Sequence, residues 1–339
     1  MVRMADLRPL FERMHLPRSL TIQNASIFPP LIMAPMAGIT HNPFRILVEE
    51  LGGCGLFYTE MLSASAVANE SPEKSFYLQN HLRGTPLFFQ LLIHDVSQVL
   101  PALEKIEQCS FQGIDLNLGC TAPWIVRRGA GMGLMRDFSS CRKIIKELRT
   151  HTQRPLTAKI RLRKSHDWNY TENLCKMLEN EGLDALIVHA RYSGDRFKRP
   201  AKWQYIGKIK KLLNIPVIGN GDIGDESSAK KMFSQTGCDA VMIGRGAVKK
   251  PWVFKEIDSS LWPGRTSKSE GLPFIDIYVH YVELLQTFLP EERQLGRLKE
   301  FTTYFSQNFP FGHTLWRNVQ NAKSIEEALV KAKEFLSQN

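Results

Sequence analysis

The segment DLNLGCTAPWIVRRGAGMG, residues 115–133, places a thiol, Cys120, directly after a short apolar run and ahead of Pro123, Arg127, Arg128 and three glycines. A lone cysteine is ordinarily a small buried hydrophobe. One that leaves an apolar run for a Gly-rich, basic segment able to move as a lid has the setting of a reacting group. An ordinary thiol, with a pKa of about 8.5, is mostly protonated at neutral pH, so it donates a proton as readily as it attacks. Lys159 lies within the apolar run PLTAKIR. As a structural residue it would snorkel to solvent; as a functional one it would neutralise an anionic cofactor or form a Schiff base. His189, alone a structural histidine, becomes a candidate ligand contact beside Arg191. GNGDIGD and GRGAV hold glycines whose bare backbone N–H groups suit a phosphate, although either stretch alone would pass as a plain turn.

These groups need elements to hold them. Eight short apolar runs bounded by turn residues predict strands: LIMAP (31–35), LFYTE (56–60), PLFFQLL (86–92), GIDLNLG (113–119), PLTAKIR (155–161), DALIVHA (184–190), PVIGNG (216–221) and DAVMIGR (239–245). Most are continuously apolar, as parallel strands covered on both faces are. Helix-like segments such as NPFRILVEELG, SSCRKIIKELRT and WQYIGKIKKLLN separate them, and GID, GLDA and GCDA each open a strand in a weak internal echo. The pattern predicts an α/β fold, a (β/α)8 TIM barrel, with a doubly wound open sheet as the alternative. In such a barrel the site lies at the C-terminal strand ends. The residues there are Pro35, Met36 and Ala37; Gln90; Asn117 and Cys120; Lys159; His189; Asn220, Gly221 and Asp222; and Gly244 and Arg245.

The chain has 339 residues, 43% of them apolar, enough for a large core. It contains no apolar run near the roughly 18 residues that span a bilayer and no signal-like N-terminus, so a cytoplasmic protein is expected, with no membrane partner. Six cysteines are scattered without a C-x-x-C pair, which speaks against a metal or iron–sulfur site. Net charge is +10, and residues 141–211 alone carry 18 Lys or Arg against 7 Asp or Glu. So local an excess suggests a polyanionic partner, or else a solvated basic surface. The expected organisation is an extension (1–27), the barrel (28–260), a Pro/Gly/Ser linker (261–272) and a helical C-terminal domain (273–339).

LIMAPMAGITHNPFR, the QLL of the third strand, DLNLGCTAPWIVRRGAG, KIR, VHARYSGDRFKRPAKW, IPVIGNGDI and MIGRGAVKKPWVF, in this order, resemble the tRNA-dihydrouridine synthases. GRLKEFTTYF is similar to the helical RNA-binding domain of the family, particularly in its bacterial synthase C branch. The resemblance implies an FMN barrel that reduces a tRNA uridine with NADPH, acts as a monomer and favours the D-loop, position 16. It assigns FMN to Pro35, Met36, Ala37, Gln90, Lys159, His189, Asn220, Gly221, Asp222, Gly244 and Arg245, and makes Cys120 the proton donor to C5 after hydride reaches C6. Asn117 would bond the base or the flavin. Arg127, Arg128, Arg163, Lys164, Arg191, Arg196, Lys198 and Arg199 would surround the mouth and meet the RNA. Two departures concern loop geometry: Thr121 stands where the family usually has proline, and His189-Ala190-Arg191 replaces His-Gly-Arg. The rival readings are an FMN barrel of the dihydroorotate dehydrogenase or enoate reductase kind, a Schiff-base aldolase built on Lys159, and a non-catalytic RNA-binding protein.

Overall fold

The computed structural model describes residues 16–163, 168–195, 199–264 and 272–338. All eight expected strands form. After a short antiparallel hairpin, β1 (Leu20–Ile22) and β2 (Ala25–Ile27), come β3 (Leu31–Met33), β4 (Phe57–Ser63), β5 (Leu87–Leu92), β6 (Gly113–Leu118), β7 (Leu156–Leu162), β8 (Ala185–Tyr192), β9 (Val217–Asn220) and β10 (Ala240–Ile243). Each of the last eight runs parallel to its sequence neighbour. The ring closes where β10 pairs β3 in the register Val241↔Leu31 and where a single bridge, Ile32↔Leu56, joins β3 to the start of β4. This is the predicted barrel, not the open sheet.

Side chains alternate between the two faces of each strand. Outward residues such as Leu116, Ala158 and Val188 join the main core with the surrounding helices. Inward residues Tyr58, Phe88, Ile187, Ile218 and Met242 fill the barrel together with Leu20, Ile22 and Ile27 of the hairpin. Gln23 in the hairpin turn bonds Asp184, just before β8, which places the hairpin at the N-terminal mouth. The described part of the expected extension is thus a plug that closes the end opposite the site.

The helices between strands are α1 (Asn42–Leu51), α2 (Ala64–Val67), α3 (Val99–Ile106), α4 (Pro123–Arg127), α5 (Phe138–His151), α6 (Trp168–Asn180), α7 (Gln204–Leu212) and α8 (Glu226–Thr236). Two more, α9 (Arg245–Lys249) and α10 (Val253–Leu261), follow β10. The C-terminal part folds as α11 (Phe274–Phe288), α12 (Glu291–Phe305), α13 (Gly312–Gln320) and α14 (Ile325–Leu336). Helical spacing in IDIYVHYVELLQTFL, RQLGRLKEFTTYFSQNF and SIEEALVKAKEFLSQ predicts three of these four; α13 escapes it because its run, GHTLWRNVQ, is short and mostly polar.

The C-terminal helices share a core with the barrel. Tyr281 on α11 and Phe301 on α12 meet Phe44 on α1 with ring centroids 6.0 and 6.1 Å apart. The Tyr281 hydroxyl lies 3.3 Å from Nε2 of His41, whose imidazole burial holds well below its usual pKa and therefore neutral. Arg297 on α12 reaches the buried Glu60 of β4 at 3.6 Å, and Glu60 also accepts from the Gly38 backbone N–H in the loop after β3. Removing one partner of such a pair leaves a buried charge unbalanced. Arg297→Met is expected to cost about 3 kcal/mol in urea unfolding, and Glu60→Gln in the same chain to restore part of it. An unchanged urea midpoint in the single variant would mean that the pair contributes nothing to the docking.

Candidate active site

Alternation sets polar residues on inward positions of adjacent strands: Asp115 and Asn117 on β6, Thr157, Lys159 and Arg161 on β7, His189 and Arg191 on β8. The register puts Gln90 beside Asp115, Asp115 beside Thr157, Asn117 beside Lys159, and Arg161 beside His189. A chain of hydrogen bonds follows. The Asp115 carboxylate accepts from the Thr157 hydroxyl and from Gln90 Nε2, each at 2.7 Å. Gln90 Oε1 therefore faces Asn117 Nδ2, from which it accepts at 2.8 Å. Asn117 Oδ1 in turn accepts from the backbone N–H groups of Gly119 at 3.2 Å and Cys120 at 3.0 Å. A carboxylate has no proton to donate, so it fixes the orientation of two successive amides and, through them, the turn that carries the thiol. Burial raises the Asp115 carboxyl to about 6, against the opposing pull of the Gln90 and Thr157 bonds and the Lys159 charge.

The other side of Cys120 is held as well. Its carbonyl accepts from the Met132 N–H at 2.9 Å. Gly131, at φ +55, lies so close that an added Cβ would fall 2.8 Å from that carbonyl oxygen, and one on Gly133 would fall 2.6 Å from the Val126 oxygen. The glycines of this segment serve close packing, and residues 131–135 are buried. The expected lid is instead a packed wall. Cys120 is half-buried against Leu92, Ile125 and Ala130.

Next to it lies a cleft of about 450 Å³, lined by Pro35, Met36, Lys159, His189, Asn220, Gly221, Asp222, Gly244 and Arg245 among others. Burial is the main cause that lowers the Lys159 ammonium to about 8; Arg161 adds to it, while Asp115 and Cys120 oppose it. Burial and then the charges of Lys159, Arg161, Arg191 and Arg245 push His189 down to about 2, so its ring is neutral. Arg191 Nη1 lies 3.2 Å from His189 Nε2 and has only protons to offer, which makes Nε2 the acceptor and leaves the ring proton on Nδ1. Asp222, at φ +58, bonds Arg191 and accepts from the Ala201 N–H at 2.6 Å. It is the single carboxylate among the cleft residues, and Lys159, Arg245 and Lys249 line the same cleft. The excess of cations suits an anionic ligand. The two glycine loops interlock, since a Cβ on Gly246 would fall 2.4 Å from the Ile223 oxygen. Gly244, in contrast, meets only Met36 and Ala34 at ordinary contact, which leaves its backbone open to a ligand.

Not every sequence-predicted residue joins this cleft. Gln90 is buried behind Asn117 in the relay, and Ala37 lies exposed outside the lining. Arg191, expected to meet RNA, is 1% exposed: its guanidinium holds Asp222, His189 and the Arg199 carbonyl, so it braces the cleft from inside. Arg127 and Arg128 are exposed, Arg199 is exposed and paired with Asp195, and Arg163 is half-buried over the Tyr170 ring. Lys164, Arg196 and Lys198 lie outside the described residues. Arg127 and Arg163 line a second opening of about 560 Å³ beside Thr121 and Pro123, joined there by Arg136. Thr121, at the family's usual proline position, sits 3.4 Å from Arg161 Nη1. Sequence reasoning passes over Arg136, Arg161, Tyr304 and Gln307. The last two belong to the C-terminal region yet line the cleft, and no local signal ties them to strand ends far away in the chain.

Fold and site define a (β/α)8 barrel with a cationic cleft at its C-terminal strand ends and a half-buried thiol beside it. Among solved structures the barrel is similar to histamine dehydrogenase from Rhizobium sp. 4-9 (TM-score 0.55, 12% identity, 72% of this chain and 48% of that one). It is also similar to an old yellow enzyme homologue from Zymomonas mobilis (TM-score 0.53, 12% identity, 73% and 93%). At such identities the likeness is one of fold. The chain belongs to the dihydrouridine synthase family, whose model matches residues 32–338. It is 29% identical over 309 residues to tRNA-dihydrouridine synthase B of Pseudomonas aeruginosa (91% of this chain, 93% of that one) and 32% identical to its namesake in Pseudomonas putida (91% of each). Both relatives are named synthase B, so the expected likeness to branch C rests on the helical segment alone.

The relay makes Asn117 a residue that positions Cys120. With Cys120 as the reacting group, Asn117→Ala is expected to lower kcat for tRNA reduction by about 100-fold with KM little changed, because a misplaced reacting group costs about that much. Equal loss in KM, or none in kcat, would remove Asn117 from this role.

Proposed function

We propose that this protein reduces a uridine in tRNA to 5,6-dihydrouridine, with FMN held in the cleft, NADPH as the reductant and Cys120 as the general acid. The observation that carries the reading is the juxtaposition of a rigidly held thiol turn and a cationic cleft that share the inward face of β6 and β7. Pro35, Met36, Lys159, His189, Asn220, Gly221, Gly244 and Arg245 would hold the flavin, and Asp222 would act through Arg191 and Arg245. When bound and reduced, the flavin supplies the hydride that C6 of the uracil receives. Every other task falls to the chain. Cys120 Sγ–H gives its proton to C5, where negative charge gathers. Lys159 balances the anionic cofactor. Asn117 keeps one amide N–H beyond those the relay uses, available to the base or the cofactor. Neutral His189 offers its Nδ1–H as a hydrogen-bond donor without adding charge.

The target base must leave the RNA stack to reach this rim. Arg127, Arg128, Arg136, Arg163 and Arg199 would meet the phosphates around the opening. The barrel (28–260) would carry the chemistry and the helical part (273–339) would select the face of the tRNA, with the protein acting as a monomer. No helix among the described residues is long and apolar enough to cross a membrane.

Purified protein given NADPH and tRNA lacking dihydrouridine is expected to form the product, detected by mass spectrometry, with mapping of the D-loop, position 16 included, as the first locus. Cys120→Ala is expected to lose activity by about 10² to 10⁴, as removal of a general acid does, and to keep flavin and tRNA binding. Full activity in that variant would sink the assignment. The Lys159 value of about 8 sets a second expectation. An anion binds the protonated amine, so flavin affinity in the wild type falls as pH rises beyond about 8. Lys159→Met binds more weakly and without that slope; identical pH profiles by fluorescence titration would make the lysine structural.

A further inference from the structure

The turn before α13 exposes aromatic surface that the fold itself does not use. Phe311 is 77% exposed and Trp316 43% exposed, and with His313 they border a shallow groove of about 470 Å³. Phe311 is also, among the described residues, one of three non-glycine residues with positive φ, at +56. A bulky side chain in that region is strained, and an exposed ring recovers none of the cost through burial. The turn is nevertheless rigid. Gly312 N–H bonds the Phe309 oxygen at 3.1 Å and Thr314 N–H the Phe311 oxygen at 2.8 Å. A Cβ on Gly312 would fall 1.8 Å from the Ser306 oxygen, so the chain is pressed into this shape. The ring is held outward in advance, which lowers the entropy lost when something stacks on it.

Two observations choose the occupant. Between Glu300 and Glu326 the chain has no Asp or Glu, while it carries His313, Arg317 and Lys323. The groove's described lining is aromatic and polar without a carboxylate, on a stretch of chain whose charged groups are basic, the combination that binds a base by its face and its phosphate by charge. Gln307 lines both this groove and the cationic cleft, so the two openings adjoin. We propose that Phe311 and Trp316 form a stacking shelf for an unpaired base of the tRNA, with Arg317 taking an adjacent phosphate; this rests on the tRNA-reducing function proposed above.

The test compares tRNA binding in Phe311→Asn, which keeps the left-handed backbone while losing the ring, with Phe311→Tyr and Arg317→Ala. Phe311→Asn should raise the Kd for unmodified tRNA roughly five- to hundred-fold with an unchanged salt slope, while Phe311→Tyr stays near wild type. Arg317→Ala should weaken binding and make the slope of log K on log salt shallower by about one. NADPH-driven flavin reduction without tRNA should be alike in all, a check that the barrel is intact. Wild-type Kd in Phe311→Asn, with wild-type protein active on tRNA, overturns the shelf alone. The same result with self-association abolished by Phe311→Asn overturns it too, giving the surface to a second copy of the chain. A wild type that neither binds nor reduces tRNA overturns the parent reading together with the shelf, before any variant is made.

Discussion

A carboxylate sealed inside the barrel orders the site. Asp115 ties β5 and β7 to β6 through Gln90 and Thr157, and because it only accepts when ionised, it dictates which way the Gln90 amide points. Gln90 dictates Asn117, and Asn117 holds the backbone of Cys120. Burying that charge is costly, as its raised pKa shows. The compensation is geometric certainty at the thiol: an apolar residue at 115 would pack as well but would leave two amides free to flip. The neighbouring Lys159 eases the cost and also lines the cleft, so one interior charge touches both the relay to the Cys120 turn and the cationic cleft.

The cleft follows the same logic of opposed charges. Cationic groups crowd it, yet Asp222 is bound by Arg191 and faces Arg245, and His189 is kept neutral by its surroundings. The net result is a positive enclosure whose members are braced in place, suited to a phosphate-bearing, electron-rich cofactor. Such preorganisation acts on charge that forms during reaction because the dipoles need not reorganise.

The barrel does not complete this arrangement alone. Arg297 on α12 balances Glu60, which holds the Gly38 N–H in the loop that follows β3, and Tyr304 and Gln307 supply part of the cleft wall. Phe44 on α1 packs against rings from both α11 and α12. The C-terminal helices are thus structural members of the cleft's rim. The aromatic turn before α13 stands on a helix pair whose position is tied to the site.

Much of this was legible in the chain. Continuous apolar runs and the turn residues between them are local, so eight strands and their order emerge from spacing, and Cys120, Lys159, His189 and the two glycine loops stand out at strand ends. The ordered motifs pointed to the family, while charge clustering suggested only a polyanionic partner. What the sequence could not settle is which groups meet. Arg191 reads as a surface cation and is a buried brace; Gln90 reads as a cofactor ligand and is also a link in a relay; the glycines after Cys120 read as part of a lid and are close contact points. Those outcomes depend on the register between strands and on helices docking from a distance of more than a hundred residues. Local patterns follow from the backbone geometry of each segment, whereas a side chain's partner is decided only when separate segments are brought within hydrogen-bond reach.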